Sequence, residues 1–192
     1  MTEQMAETSS RPRAGITGVV YLLYFLTAVS AEVFVGRGRL VLYDAVDLIA
    51  YALYIAVTLL FYYMFKPVNS NLSLLAALFS LAGCVGEVLR LFNLAPYKIN
   101  ALVFFGPYCL LLGFLIFRST FLPRILGVLM VCAGLGWLIY MSPLANHLTT
   151  YLKILGFLAE ASLMLWLIVK GVNVQRWKEQ ASAAAEGRLT RK

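Results

Sequence analysis

Apolar residues run along this chain in six long blocks parted by short polar breaks, near residues 15–35, 45–65, 72–93, 99–118, 124–142 and 150–170. Each block approaches the roughly 20 residues that a helix needs to cross about 30 Å of hydrocarbon. The breaks carry helix-stopping chemistry. "FKPVNSN" (65–71) ends the second block, "NLAP" (93–96) parts the third from the fourth, "FLPR" (121–124) opens the fifth, and "MSPLANH" (141–147) closes it. Lipid admits only helices and closed barrels, and no long period-two alternation is visible. The pattern therefore predicts an all-α integral membrane bundle of six transmembrane helices. Residues 1–14 read as a disordered cytoplasmic tail, 15–170 as the six-span membrane domain, and 171–192 as a basic cytoplasmic tail.

Helical spacing assigns the scattered polar positions to faces. On the second block Asp47, Tyr51, Tyr54 and Thr58 form one stripe, and on the third Ser73, Ser80, Cys84 and Glu87 do the same, with Arg90 one turn on. Thr149, Lys153, Gly156 and Glu160 align on the sixth, and Tyr21, Phe25, Ala28 and Glu32 on the first, while the fourth begins with Asn100, Phe104 and Pro107. Lipid penalises such faces, so they are expected to converge inside the bundle. Gly127 and Gly134 share a face of the fifth block where a neighbour can approach closely, and Gly136 lies on another. Pro107 is expected to kink the fourth helix.

Composition agrees with a bilayer protein: 61% of residues are hydrophobic, 13% are charged and the mean hydropathy is +0.82. The net charge of +7 does not signal nucleic acid, because the cations stand singly at block ends and in the last tail. With the N-terminus inside, eleven cations lie on the cytoplasmic side, from Arg11, Arg13, Lys66, Arg118, Arg124, Lys170, Arg176 and Lys178 to the tail's Arg188, Arg191 and Lys192. Only Arg37, Arg39, Arg90, Lys98 and Lys153 lie outside. This bias puts both termini in the cytoplasm of a multi-pass protein of the cell membrane, with Trp177 at the headgroup level of an anionic leaflet. The polar first 13 residues suggest no secretory signal, and the first span is expected to remain as an anchor.

Cys84, Cys109 and Cys132 fall inside apolar blocks and read as small hydrophobes at helix contacts. His147 is the single histidine, so a bis-histidine haem or a histidine-rich metal site within one chain is excluded; no metal or other cofactor is expected.

The acids carry the candidate chemistry. In the predicted orientation Glu32, Asp44, Asp47, Glu87 and Glu160 all fall in the outer half of the spans or near the midplane. A charge at the centre of a span costs roughly 2.5–3.5 kcal/mol on insertion scales. Glu160 lies too deep to snorkel, so it must be paired, face water or carry a proton. Arg90 or a tyrosine hydroxyl from a neighbouring helix is its expected partner, and Arg90 also stands at i+3 from Glu87. Two readings follow. One is a buried polar network that sets helix register. The other is an outward-facing pocket lined by Glu32, Asp47, Tyr51, Tyr54, Glu87, Arg90, Asn100 and Lys153, with Glu160 as its floor.

The order "FKPVNSNLSLLAALF" (65–79), "FRSTFLPRILGVLMVCAGLGWLI" (117–139) and "LAEASLMLWLIVKG" (158–171) resembles the bacterial membrane-protein family catalogued as domain of unknown function 4386. The likeness rests on a "PVN" turn after the second span, an "RS" to "PR" link with a following "LG" before the fifth, and an acid ahead of "LWL" and a closing "KG" in the sixth. It covers roughly residues 14–172. It implies a six-span protein and assigns no catalytic residue.

Three function classes fit. The first is a binding, sensing or accessory module that holds a small lipidic or amphiphilic ligand among membrane lipids. The second is an intramembrane enzyme that cyclises or isomerises a prenyl-type lipid by protonation, with Glu160, Glu87 and Asp47 as candidate acids. The third is a small proton-coupled carrier in which Glu160 titrates.

Overall fold

The computed structural model describes residues 2–31, 40–94, 102–142 and 145–189. Over these residues the chain is all-helical: α1 (Thr2–Ser30), α2 (Leu40–Phe65), α3 (Ser70–Leu91), α4 (Leu102–Arg118), α5 (Arg124–Tyr140), α6 (Ala145–Val169) and α7 (Val174–Leu189). The six apolar blocks correspond to α1–α6. α1 begins at Thr2, within the expected N-terminal tail, and the last tail contains α7. Three described helices, at Leu42–Phe65, Ser70–Leu91 and His147–Val169, are long and apolar enough to cross a membrane; Ala14–Ser30, Val103–Arg118 and Arg124–Tyr140 are apolar but shorter.

Local chemistry explains the boundaries. Asn69 sits extended ahead of α3 and its side chain accepts from the Leu72 N–H, so the "PVN" turn is a helix cap. Pro123, also extended, starts α5. Between α4 and α5 the buried Ser119 hydroxyl returns to the Ile116 carbonyl. After α6 the amides of Lys170 and Gly171 both reach the Trp166 carbonyl. Gly171 adopts φ +67°, the left-handed turn that an L side chain resists, so the closing "KG" is a helix stop.

Each of α1–α6 packs on its neighbours in sequence, and α1 also packs on α6, so the six helices close into a ring. The seam between α4 and α5 is the most extensive. A Cβ added to Gly113 would meet the Gly127 carbonyl at 2.7 Å, one on Gly127 would meet the Gly113 carbonyl at 2.7 Å, and one on Gly134 the Gly106 carbonyl at 2.8 Å. The expected close face at Gly127 and Gly134 is thus this seam. Gly136 turns to Leu152 and Leu155 of α6. α4 runs through Pro107 as a continuous helix. The middle of the ring is filled, not hollow: Tyr21, Phe61, Phe65, Leu112, Ile116, Met130 and Leu163 are all buried there.

Within the segment expected as a basic tail, α7 is docked on the bundle. Asn173 caps it by accepting from Arg176 N–H, and donates its own amide to the Phe121 carbonyl. Trp177 donates its indole N–H to the Met64 carbonyl at 3.0 Å, so it holds the end of α2 rather than only a headgroup layer. Gln180 accepts from the Thr120 amide and hydroxyl.

Candidate functional site

The ring brings one residue from each of four helices to its centre. Tyr21 of α1 donates its hydroxyl to Glu160 Oε2 of α6 at 2.8 Å. Tyr54 of α2 stands between Tyr21 and Tyr108 of α4, with ring centroids 6.4 and 6.2 Å away. Tyr24 closes on Tyr54 at 4.7 Å, and Phe105 of α4 lies edge-on at 5.5 Å. Of the two partners expected for Glu160, the tyrosine hydroxyl is the one present. The aromatic faces and edges meet mostly at steep angles, the arrangement their quadrupoles prefer.

Burial within this group is uneven. Tyr21, Tyr54 and Tyr108 are 1%, 3% and 2% exposed, and Glu160 is half-buried with its carboxyl held by the Tyr21 hydroxyl. The Tyr108 hydroxyl is buried beside Tyr54, within side-chain hydrogen-bonding reach of it but in no well-formed hydrogen bond.

A second polar group lies further along α2 and α3. Arg90 pairs with Glu87, Nε to Oε2 at 2.7 Å and Nη2 to Oε2 at 2.6 Å. Tyr51 is in electrostatic contact with Glu87, Asp47 and Arg90. Tyr24 is within electrostatic reach of Glu160, Tyr51 and Asp47, so it joins the two groups into one track. Below it, Thr58 and Ser80 share a 2.6 Å hydrogen bond between α2 and α3.

Of the residues expected to line a pocket, Asp47, Tyr51, Tyr54, Glu87, Arg90 and Glu160 belong to this track. Lys153 is exposed on α6, and Gly156, expected on the same face, packs against Trp137. Glu32 and Asn100 lie outside the described residues. Tyr24 and Tyr108 join the centre without having been singled out, because an aromatic in a tyrosine-rich apolar chain carries no cost signal of the kind an acid does; Cys109, expected as a small hydrophobe at a helix contact, is buried there. Among the described residues no group of histidine, cysteine and acids is placed to hold a metal ion.

The described cavities lie elsewhere. One of about 220 Å³ sits among the inner ends of α1 and α2, the α6–α7 turn and α7. The other is a polar notch between Thr120 and the α7 residues Arg176, Glu179 and Gln180. Neither contains Glu160.

Residues 96–171 match the family described as Domain of unknown function (DUF4386). That stretch holds Tyr108 and Glu160 but not their partners on α1 and α2. An uncharacterized protein of Archaeoglobus fulgidus is 29% identical over 128 residues, covering 61% of this chain and 76% of its own. No solved structure matches.

Proposed function

We propose that this chain, a member of the DUF4386 family through residues 96–171, is a six-span protein of the cell membrane with both termini cytoplasmic, and that it binds a small lipidic or amphiphilic molecule at the tyrosine-ringed carboxyl. The observation that supports this reading is a carboxyl within the bundle, held by the Tyr21 hydroxyl and surrounded by buried tyrosines from three helices. A polar ligand head pairs with the Glu160 carboxyl, while aromatic walls accept its apolar part.

The test is mass spectrometry of molecules that co-purify with the detergent-solubilised full chain, set against Glu160→Gln and Tyr108→Phe. A small amphiphile present in the wild type, absent from Glu160→Gln and reduced in Tyr108→Phe is expected. A wild-type protein that carries nothing Glu160-dependent would overturn the reading. Turnover of a bound prenyl-type lipid that stops in Glu160→Gln would move it to acid catalysis.

A further inference from the structure

We propose that the cavity at the α7 end of the ring holds an acyl chain of an anionic phospholipid, whose headgroup rests on Lys66, Lys170 and Lys178. This site is separate from Glu160; it shares with the proposed function only the premise that the ring lies in a membrane with α7 at its cytoplasmic face.

The cavity is built by the helix stop at Gly171. The left-handed turn there returns the chain across the ends of α1 and α2, close enough that a Cβ on Gly171 would touch that of Ala14 at 4.0 Å. The space left, about 220 Å³, is walled by Leu60 and Met64 of α2, Thr17 of α1, Val172 and Trp177. Because Trp177 spends its N–H on the Met64 carbonyl, the rest of the indole is apolar surface for the cavity. Tyr63 also lines the space and is 61% exposed, so the cavity opens to the outer surface of the ring, where a lipid chain can enter.

Charge complementarity selects the headgroup. Lys66 follows Met64 by two residues, Lys170 precedes Val172 by two, and Lys178 follows Trp177 directly, so three cations stand within two residues of the apolar walls, Lys66 with its Nζ 5.8 Å from the Tyr62 ring centroid. Lys170 is exposed, and Lys66 and Lys178 are half-buried. The neighbouring acid, Glu179, accepts from Gln175. An apolar slot between helices with lysines within two residues of its walls suits a phosphate-bearing lipid head.

The delipidated full-length protein in mild detergent, offered equal dioleoyl phosphatidylglycerol and dioleoyl phosphatidylcholine, is read by native mass spectrometry. The first bound lipid is expected to be phosphatidylglycerol by roughly tenfold, on the scale of several lysines at an anionic surface. K66Q/K170Q/K178Q is expected to abolish the preference, and A14L, which fills the cavity, to lower retention of both lipids. Equal retention by the wild type, or unchanged retention in A14L, overturns the proposal. A second readout keeps the lysines and the cavity intact: in W137F/W166F protein, acyl-brominated phosphatidylglycerol is expected to quench Trp177 emission more than brominated phosphatidylcholine. Equal quenching overturns the proposal even where a variant fails to fold.

Discussion

At the scale of single residues, the hydrogen bond from Tyr21 to Glu160 is the interaction whose loss should be most visible. Tyr21→Phe removes the donor and leaves the carboxyl oxygen unmatched beside aromatic carbon. Hydrogen bonds between membrane helices average about 0.6 kcal/mol, and an unmatched polar group costs about 1–3 kcal/mol, so a loss of about 1–2 kcal/mol is expected. Glu160→Gln keeps an acceptor of the same shape and should cost less. Thermal unfolding in detergent of both single variants and the double variant tests this: additive losses would mean that the two side chains do not interact. The Glu87–Arg90 pair is a contrasting case. Arg90 is 60% exposed, and an i,i+3 pair of that kind contributes about 0.2–0.5 kcal/mol, so Arg90→Gln should leave the melting temperature almost unchanged. Glu160 was legible in the sequence because an acid deep in an apolar run violates a steep rule. Its partner was legible only as one of two options, since Arg90 and several tyrosines satisfied the same spacing. Tyr108 was not legible at all: its place beside Tyr54 depends on how α2 and α4 meet, which no sequence pattern encodes.

At the scale of elements, the helices were legible because their ends are marked by specific chemistry: the Asn69 cap, Pro123 and the left-handed Gly171. The α4–α5 seam was half legible. Gly127 and Gly134 shared a face, but their counterparts Gly106 and Gly113 could be matched to them only once the two helices were known to be neighbours. Backbone-to-backbone approach makes that seam intolerant of even one methyl. Gly113→Ala and Gly127→Ala should each lower the melting temperature in detergent, because the added Cβ would have to sit 2.7 Å from a carbonyl oxygen that cannot move alone. Gly15→Ala is the matched control. Nothing lies within 4 Å of its added Cβ, and alanine is about 1 kcal/mol better than glycine in a helix, so stability should hold or rise. If all three behave alike, close packing is not what the glycines supply. Gly171→Ala probes a different device, a conformation rather than a contact, and should cost about 1–2 kcal/mol for the left-handed backbone. α7 itself escaped the sequence reading because its residues are polar enough for a tail, and its hold on the bundle runs through one indole and backbone groups of distant turns.

At the scale of the whole molecule, the six helices of the ring follow from hydropathy, but its closure does not. Every apolar face in a bilayer protein can meet either lipid or another helix, so periodicity alone cannot tell which helices are neighbours. Closure depends on α1 meeting α6, and there Gly18 lets α1 lie against the backbone of Leu167 and Ile168. Closure also constrains topology. Sequential antiparallel neighbours in an even-numbered ring return the chain to the side it started from, and α7 gathers the α2 end and the α4–α5 link at that same side. The proposed six-span arrangement asks most of α4 and α5, each 17 residues. At about 1.5 Å per residue such a helix spans roughly 26 Å, the short end of what a bilayer accepts, with some thinning around the ring. Reporter fusions decide whether they cross. Alkaline phosphatase fused after Ser142, beyond α5, should be active outside the cell, and green fluorescent protein fused after Lys192 should fluoresce inside. Fused after Thr120, between α4 and α5, the phosphatase should be inactive. Activity there, or silence after Ser142, would mean that α4 and α5 do not cross as a pair. The charge bias supports the expected outcome: Arg118 and Arg124 flank the α4–α5 link, and cations in short loops are retained on the cytoplasmic side.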